Sequence, residues 1–181
     1  MGKIGIFGKV WLSRFSSPAG ERPVMRQVLS LRPASILELG LGTLERGERV
    51  LRVAASLSAT PVHYVGLDRF EARQPDDPPG VTLKEAHRRL HPLGKVQLVP
   101  GNIDSSLARL CNHLGRFDLV LISTAADSLN LTRCWFFLQR LVGSGTAVLQ
   151  EQPAERGTMW QPVTPERIAD LAAQTLLRRA G

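Results

Sequence analysis

Several features that would place this chain in a special class of protein are missing from its sequence. No uninterrupted apolar run approaches the ~20 residues needed to cross a bilayer. The N-terminus carries basic residues but neither an apolar core nor a small-residue cleavage site, so it is a poor signal peptide. The two cysteines, Cys111 and Cys134, lie in predicted helices without CxxC spacing, which favours buried thiols over a disulfide or a metal pair. We therefore expect a cytoplasmic protein without a bound metal.

Lysine is also scarce, since only 4 of the 23 basic residues are lysines. This arginine bias is typical of a GC-rich, bacterial-type genome, so the net charge of +7 is weak support for a polyanionic partner. The excess charge is concentrated in residues 1–33, which hold six basic residues and one acid. Residues 1–33 do not form an extended basic stripe of the kind that stacks bases, so we do not expect a nucleic-acid partner. We predict that residues 1–33 form a basic arm with a lead-in helix around Pro23–Leu31, followed by one domain over 34–181.

After residue 34 the chain alternates between apolar, strand-like segments and amphipathic, helix-like segments. The predicted strands are residues 35–40, 62–67, 96–99, 117–122 and 146–149, with helices between them and after the last. Near-continuous apolar strands separated by helices indicate a parallel sheet covered on both faces. We predict an α/β fold: a Rossmann-like, doubly wound, mainly parallel sheet of strand order 3-2-1-4-5. Residues 152–163 are predicted as a loop.

The most informative segment is the end of the first strand, where Ser35-Ile36-Leu37-Glu38-Leu39 runs into Gly40-Leu41-Gly42. The second strand ends on Asp68, 26 residues past Gly42. Glycines let the backbone approach a ligand closely, and an acid in this position can accept hydrogen bonds from ribose hydroxyls. The pattern therefore predicts half of a nucleotide-binding site.

Two familiar phosphate-binding motifs do not fit the glycine turn. A P-loop needs a Lys and a Ser or Thr after its last glycine, and this turn has neither in place. The third position of a dinucleotide fingerprint is Glu45, and an acid at a helix N-terminus repels pyrophosphate. This disfavours an NAD-type oxidoreductase. A cationic ligand without phosphate, such as the sulfonium S-adenosylmethionine, tolerates Glu45.

Over roughly residues 30–152 the chain resembles the class I S-adenosylmethionine-dependent methyltransferases. Four segments carry the resemblance in order: Ile36–Gly42, Tyr64–Asp68, Val99–Asp104 and Phe117–Ser123. The resemblance implies S-adenosylmethionine as cofactor, a ribose-binding role for Asp68, and adenine contacts at Asn102 and Ile103. The implied cofactor-binding residues are Glu38, Gly40, Leu41, Gly42, Asp68, Arg69, Asn102, Ile103 and Ser123.

The chain also departs from that family pattern. Leu44 replaces the usual third glycine and is expected to crowd the turn. Ser123-Thr124-Ala125-Ala126-Asp127 replaces the acid or Asn-Pro-Pro-aromatic sequence that often follows the fourth strand, which argues against methylation of base amino groups and against a catechol-type metal site. Asp127 is the single titratable group expected there, and no catalytic residue is assigned. The antiparallel sixth and seventh strands of the complete family fold are expected to be missing.

The sequence leaves two interpretations open. The favoured one is a methyltransferase acting on an unidentified small-molecule acceptor, with a homodimer possible through the open sheet edge. The alternative is a non-catalytic S-adenosylmethionine-binding or interaction module of the same fold. For Glu38, an internal salt bridge to an arginine of the N-terminal helix competes with the ligand role, because an unpaired buried carboxylate is costly.

Overall fold

The computed structural model describes residues 19–124, 126, 128–155 and 157–180. The strands are β1 (Ser35–Leu39), β2 (His63–Asp68), β3 (Lys95–Pro100), β4 (Leu119–Ile122), β5 (Ala147–Pro153) and β6 (Thr158–Pro162). The helices are α1 (Arg22–Leu31), α2 (Glu45–Leu57), α3 (Leu83–Leu90), α4 (Ile103–Leu110), α5 (Ser128–Leu141) and α6 (Pro165–Ala180). Short 3₁₀ turns cover Ala19–Glu21, Phe70–Ala72 and His91–Leu93.

All six strands form one sheet of order β3-β2-β1-β4-β5-β6. Strands β1 to β5 are parallel, and β6 runs antiparallel to β5. The predicted doubly wound sheet and its order 3-2-1-4-5 are confirmed. The expectation that no antiparallel strand follows β5 was wrong, because residues predicted as a loop form β6. The strand was missed because this hairpin is rich in glutamine and proline, and because an edge strand leaves its outer side chains exposed.

Two hydrophobic clusters fill the two faces of the sheet. One packs alternate strand residues against α4, α5 and α6, and the other packs the intervening residues against α1, α2 and α3. The side chains of Glu38, Tyr64, Leu121 and Trp160 belong to the α1–α3 face by this alternation. Helix α1 contributes Val24, Met25 and Val28 to the same face. The sheet is therefore covered on both sides, as the apolar strands predict.

Local sequence signals account for several element boundaries. The Thr82 side chain accepts a hydrogen bond from the Glu85 N–H at 3.1 Å and so caps the N-terminus of α3. Pro165 occupies the first position of α6, and the Arg167 N–H donates to the Thr164 hydroxyl. At α4 the cap position is Asn102.

The structure also bears on the predictions about cysteines, membrane spans and the basic arm. Cys111 and Cys134 are buried thiols that are not joined in a disulfide, as expected. None of the helices in the described ranges is long and apolar enough to cross a membrane. The basic arm up to residue 18 and Asp127 lie outside the described residues.

Candidate cofactor site at the carboxyl edge of the sheet

The glycine turn after β1 has a backbone that L-residues rarely adopt. Gly40 and Gly42 have φ angles of 77° and 56°, in the left-handed region that favours glycine. The Gly40 N–H donates to the Leu67 carbonyl, which ties the turn to the end of β2. The turn therefore lies directly beside Asp68, as the spacing predicts.

Leu44 adopts the conformation expected of the glycine it replaces. Its φ is 74°, and its side chain is fully buried in the cluster under α1. A left-handed backbone costs a residue with a Cβ about 1–2 kcal/mol. Burial of a leucine side chain contributes a similar amount, about 1.5–3 kcal/mol, so packing offsets the strain. The third glycine is thus replaced by a core residue, and the turn keeps its shape.

Asp68 is buried at the end of β2 and accepts hydrogen bonds at both oxygens. Its Oδ2 accepts from the N–H groups of Leu41 and Gly42, at 2.7 and 3.2 Å. Its Oδ1 accepts from the Phe70 N–H at 3.0 Å and from Arg73 Nη2 at 2.5 Å. These four bonds use the roughly four acceptor positions of a carboxylate.

The loop after β2 places Arg73 over this carboxylate. Arg73 Nη1 also donates to the Pro78 carbonyl at 2.7 Å, and the guanidinium packs against Gly80, where a Cβ would require it to move. Arg69, predicted as a cofactor contact, instead donates to Asp77 at 2.8 Å within this loop. Phe70 also has a left-handed φ, at 49°, as do Gly40, Gly42 and Leu44. Backbone strain of this kind concentrates at ligand sites.

Glu38 is also fully buried, but its partners come from regular elements. The Tyr64 hydroxyl donates to Oε2 at 2.7 Å, and Arg46 Nε donates to Oε1 at 3.0 Å. Burial, followed by the charge of Glu38, raises the pKa of Tyr64 well above its ordinary value, so the hydroxyl stays protonated. Glu38 therefore forms an internal ion pair, and its arginine partner lies on α2 rather than on the N-terminal helix.

Arg46 links Glu38 to the far side of the site. Its guanidinium donates to the Gly40 carbonyl at 2.9 Å, lies 3.8 Å from Glu151 Oε2, and stacks 4.8 Å from the Trp160 ring centre. Burial alone lowers the pKa of Arg46, but the attraction of Glu38 and Glu151 outweighs it and raises the pKa. One arginine thus fixes the glycine turn relative to β5 and β6.

A close helix–strand approach makes the Glu38 pair possible. A Cβ at Gly47 in α2 would lie 2.8 Å from the Tyr64 hydroxyl and 3.0 Å from Glu38 Oε2. Only glycine leaves room for both oxygens, because real Cβ contacts are essentially never this short. Gly47 therefore serves the ion pair rather than a ligand.

Ser123, at the end of β4, joins the site through Glu151. The Ser123 hydroxyl donates to Glu151 Oε2 at 2.7 Å, as does the Thr124 N–H at 3.0 Å. The Thr158 hydroxyl donates to Oε1 at 2.6 Å. Burial alone raises the pKa of Glu151, but these bonds and Arg46 outweigh it and lower the pKa. Glu151 is thus an ionised group beside the switch point of the sheet.

Asn102 and Ile103 lie at the start of α4, shortly after β3, the strand that pairs with β2 beside Asp68. Asn102 is exposed and makes no side-chain cap, while Ile103 is buried. The Gly101 N–H donates to the Asp68 carbonyl at 3.0 Å, so this loop is fastened to β2. The structure places all the sequence-predicted residues along one edge of the sheet.

Sequence reasoning missed four residues of this site: Tyr64, Arg46, Arg73 and Glu151. Arg46 had a usable signal, since it lies in the first turn of α2, where helix side chains tilt toward the N-terminus and so toward the end of β1. Glu151 lies between the predicted strand 146–149 and the predicted loop 152–163, so neither prediction assigned it. No group of three or more potential metal ligands occurs among the described residues, and His87 and His91 are exposed neighbours on one helix face.

Comparison with known proteins gives similarity in structure only. No family model matches the sequence, and no curated protein matches it. A proposed O-methyltransferase from Klebsiella pneumoniae is similar with a TM-score of 0.57 and 19% identity, over 93% of this chain and 71% of that one. Cofactor-bound Rv0187 from MTB gives 0.54 and 18% over 95% and 75% of the two chains. The O-methyltransferase TomG from Streptomyces achromogenes, in complex with SAM, gives 0.55 and 14% over 91% and 70%. The chain has the fold of the class I S-adenosylmethionine-dependent methyltransferases.

Proposed function

We propose that this protein is an S-adenosylmethionine-dependent methyltransferase that acts on a small-molecule acceptor. The observation that carries the proposal is the unit formed by the glycine turn and Asp68, in which the N–H groups of Leu41 and Gly42 bind one carboxylate oxygen. This unit sits at the carboxyl ends of parallel strands, where ligands bind in open α/β sheets. TomG and Rv0187, which share the fold, are proteins solved with SAM and with a bound cofactor, and this supports the choice of ligand.

The residues present fit this cofactor on one condition. Gly40 and Gly42 allow close backbone approach, and Asp68 would hold the ribose. Arg73 must leave Oδ1, because a ribose hydroxyl needs an acceptor position that Arg73 now takes. Asn102 and Ile103 would flank the adenine.

When bound, S-adenosylmethionine supplies a methyl group on a positively charged sulfur. Ser123 and Glu151 lie at the end of β4 and β5, next to the glycine turn, and Glu151 is ionised. We expect Glu151 to orient a ligand by its charge rather than to take a proton, because its lowered pKa makes it a weak base. Transfer would then depend mainly on positioning the acceptor in line with the sulfonium.

Calorimetric titration with S-adenosylhomocysteine tests the proposal directly. Wild type should bind, and Asp68→Ala should bind more weakly by about 1–3 kcal/mol, since a buried acceptor for a hydroxyl is lost. Asp76→Asn is the matched control, because Asp76 is an exposed acid on the same loop. Absence of heat and of thermal shift at millimolar ligand refutes the proposal, and unchanged affinity in Asp68→Ala refutes the ribose assignment.

The pairing of Glu38 favours a second candidate, a non-catalytic module of the same fold. Both oxygens of Glu38 are bonded by the protein itself, so this acid is not free to hold a ligand. A panel of hydroxyl- and amine-bearing small molecules, assayed for release of S-adenosylhomocysteine, separates the two functions. Binding without turnover on any acceptor supports the module, and turnover on one acceptor excludes it.

The expectations of a bacterial-type, cytoplasmic protein and of a homodimer are also proposals. We propose a bacterial-type, cytoplasmic protein, which fractionation of the source cells would check. A homodimer would form through the outer edge of β3, which is an edge strand of the sheet. Light scattering on wild type and on Val96→Pro tests this: the Lys95 N–H points to β2, so the N–H of the next residue, Val96, points to the outer edge.

A further inference from the structure

A second cleft lies on the α4–α6 face of the sheet, opposite the face that holds Glu38 and Glu151. Its volume is about 410 Å³. Gln150 and Gln152 alternate with Glu151 along β5, so their side chains point to the other face. Gln161 of β6 is the direct cross-strand neighbour of Gln150 and completes a row of three amides. The cleft is thus separated from the cofactor site by the sheet.

The polar groups that line this cleft are largely without partners. Within the described ranges, the side chains of Gln150, Gln152 and Arg167 make no hydrogen bond or ion pair. The Gln161 amide makes one contact, 3.5 Å from the Met159 sulfur. Three amides and a guanidinium therefore converge on one space, and most of their hydrogen-bonding capacity is unused.

The opposite wall of the cleft is apolar. Trp135 of α5 is 4% exposed and forms this wall with Val163 and Leu171. Ligand pockets of about 300–1,000 Å³ combine such a wall with a few convergent polar groups. Among the described residues that line the cleft, Arg167 alone is charged, so a ligand with one negative charge is balanced there.

We propose that this cleft binds a small organic acid, in which a single carboxylate meets Arg167 and the glutamine amides and an aromatic or aliphatic body rests on Trp135. The guanidinium fork and the amide donors suit a carboxylate, which accepts bonds in the plane of its two oxygens. A metal ion does not suit the cleft, because none of the described residues that line it carries a carboxylate, thiol or imidazole. A polyanion is excluded because a single guanidinium cannot neutralise several charges.

The proposal is independent of the methyltransferase function, and it is tested with benzoate and its uncharged analogue benzamide. In ¹H–¹⁵N spectra, the indole resonance of Trp135 is identified by replacing Trp11 and Trp160 with Phe in turn. Benzoate should shift this resonance saturably with a Kd on the order of 1 mM, and benzamide should bind several-fold more weakly. A Trp135 resonance that does not respond to benzoate, or responds equally to benzamide, overturns the proposal.

Variants assign the binding to the lining residues. Arg167→Gln should abolish the preference for benzoate over benzamide, and Gln152→Ala should weaken both probes several-fold. Arg109→Gln, an exposed arginine on α4, should leave both affinities unchanged. Gln152 and Arg167 are exposed, so these variants are expected to fold, and thermal melting checks this. A preference for benzoate that survives in Arg167→Gln contradicts the proposal.

Discussion

Glu38 and Asp68 are buried acids at the ends of adjacent strands, yet different parts of the molecule hold them. Glu38 is bonded by Tyr64 of β2 and Arg46 of α2, both in regular elements. Asp68 is bonded by backbone N–H groups and by Arg73, which belongs to an exposed loop. A loop contact opens at lower free energy than a contact between packed elements. We infer from this difference that Glu38 stabilises the fold, whereas Asp68 is available to bind a ligand.

The largest expected effect comes from breaking the ion pair at the Glu38 end. Arg46→Met leaves Glu38 buried without a cationic partner, which should lower the free energy of unfolding by about 3–5 kcal/mol. Urea denaturation measures it. Arg52→Met is the control on the same helix, since that side chain is 65% exposed and its pair with Glu48 should contribute at most about 1 kcal/mol. Equal losses of unfolding free energy in the two variants would contradict a larger contribution from the buried pair.

The Tyr64 hydroxyl should have the next largest effect. Tyr64→Phe removes a hydrogen bond to a buried carboxylate and should destabilise the protein by about 1.5–3 kcal/mol. Gly47→Ala should also destabilise, because its Cβ would meet the same hydroxyl at 2.8 Å. The two changes should be less than additive, since Tyr64→Phe removes the atom that Gly47→Ala clashes with. Strict additivity in urea denaturation would contradict the packing described for Gly47.

At the Asp68 end we expect a change in affinity rather than in stability. Arg73→Ala frees one acceptor position of Asp68, so S-adenosylhomocysteine should bind more tightly by up to about tenfold, or about 1.4 kcal/mol. The carboxylate keeps its three backbone donors, so the melting temperature should change little. Calorimetry on Arg73→Ala, with the exposed Arg88→Ala as control, measures the effect. Weaker binding in Arg73→Ala would show that the arginine assists the ligand instead of competing with it.

The smallest effect is expected from Glu151, which is only partly enclosed. The bonds that it accepts lower its pKa below the ordinary value of 4.5. Its contribution to stability is therefore fully present above about pH 4.5 and is lost as the pH falls through the lowered pKa of the folded state. Glu151→Gln should make the acid-side loss of stability shallower, as followed by denaturation at several pH values. Glu155→Gln, on the exposed hairpin, should not.

The sequence predicts the framework of this molecule better than its charged contacts. Continuous apolar strands and the glycine turn are local patterns, so the order of β1 to β5 and the place of Asp68 follow from them. The strand β6 did not follow, because an edge strand with alternating polar residues and terminal prolines resembles a loop. The ion pairs of Arg46 and Arg73 could not be predicted either. The sequence contains 19 arginines, and only the folded backbone determines which of them lies close to a given acid.

The contact between Gly20 and β6 affects how the chain folds while it is being synthesised. Gly20 lies against the Thr158 carbonyl with no room for a side chain, and α1 shares a cluster with Trp160 of β6. On the ribosome the N-terminal segments emerge first. Part of the apolar face of α1 therefore stays uncovered until β6 has been synthesised, which happens after most of the domain has been made. Completion of the α1–α3 layer is a late event, so a nascent chain stalled before β6 should be the form of this protein most dependent on chaperones.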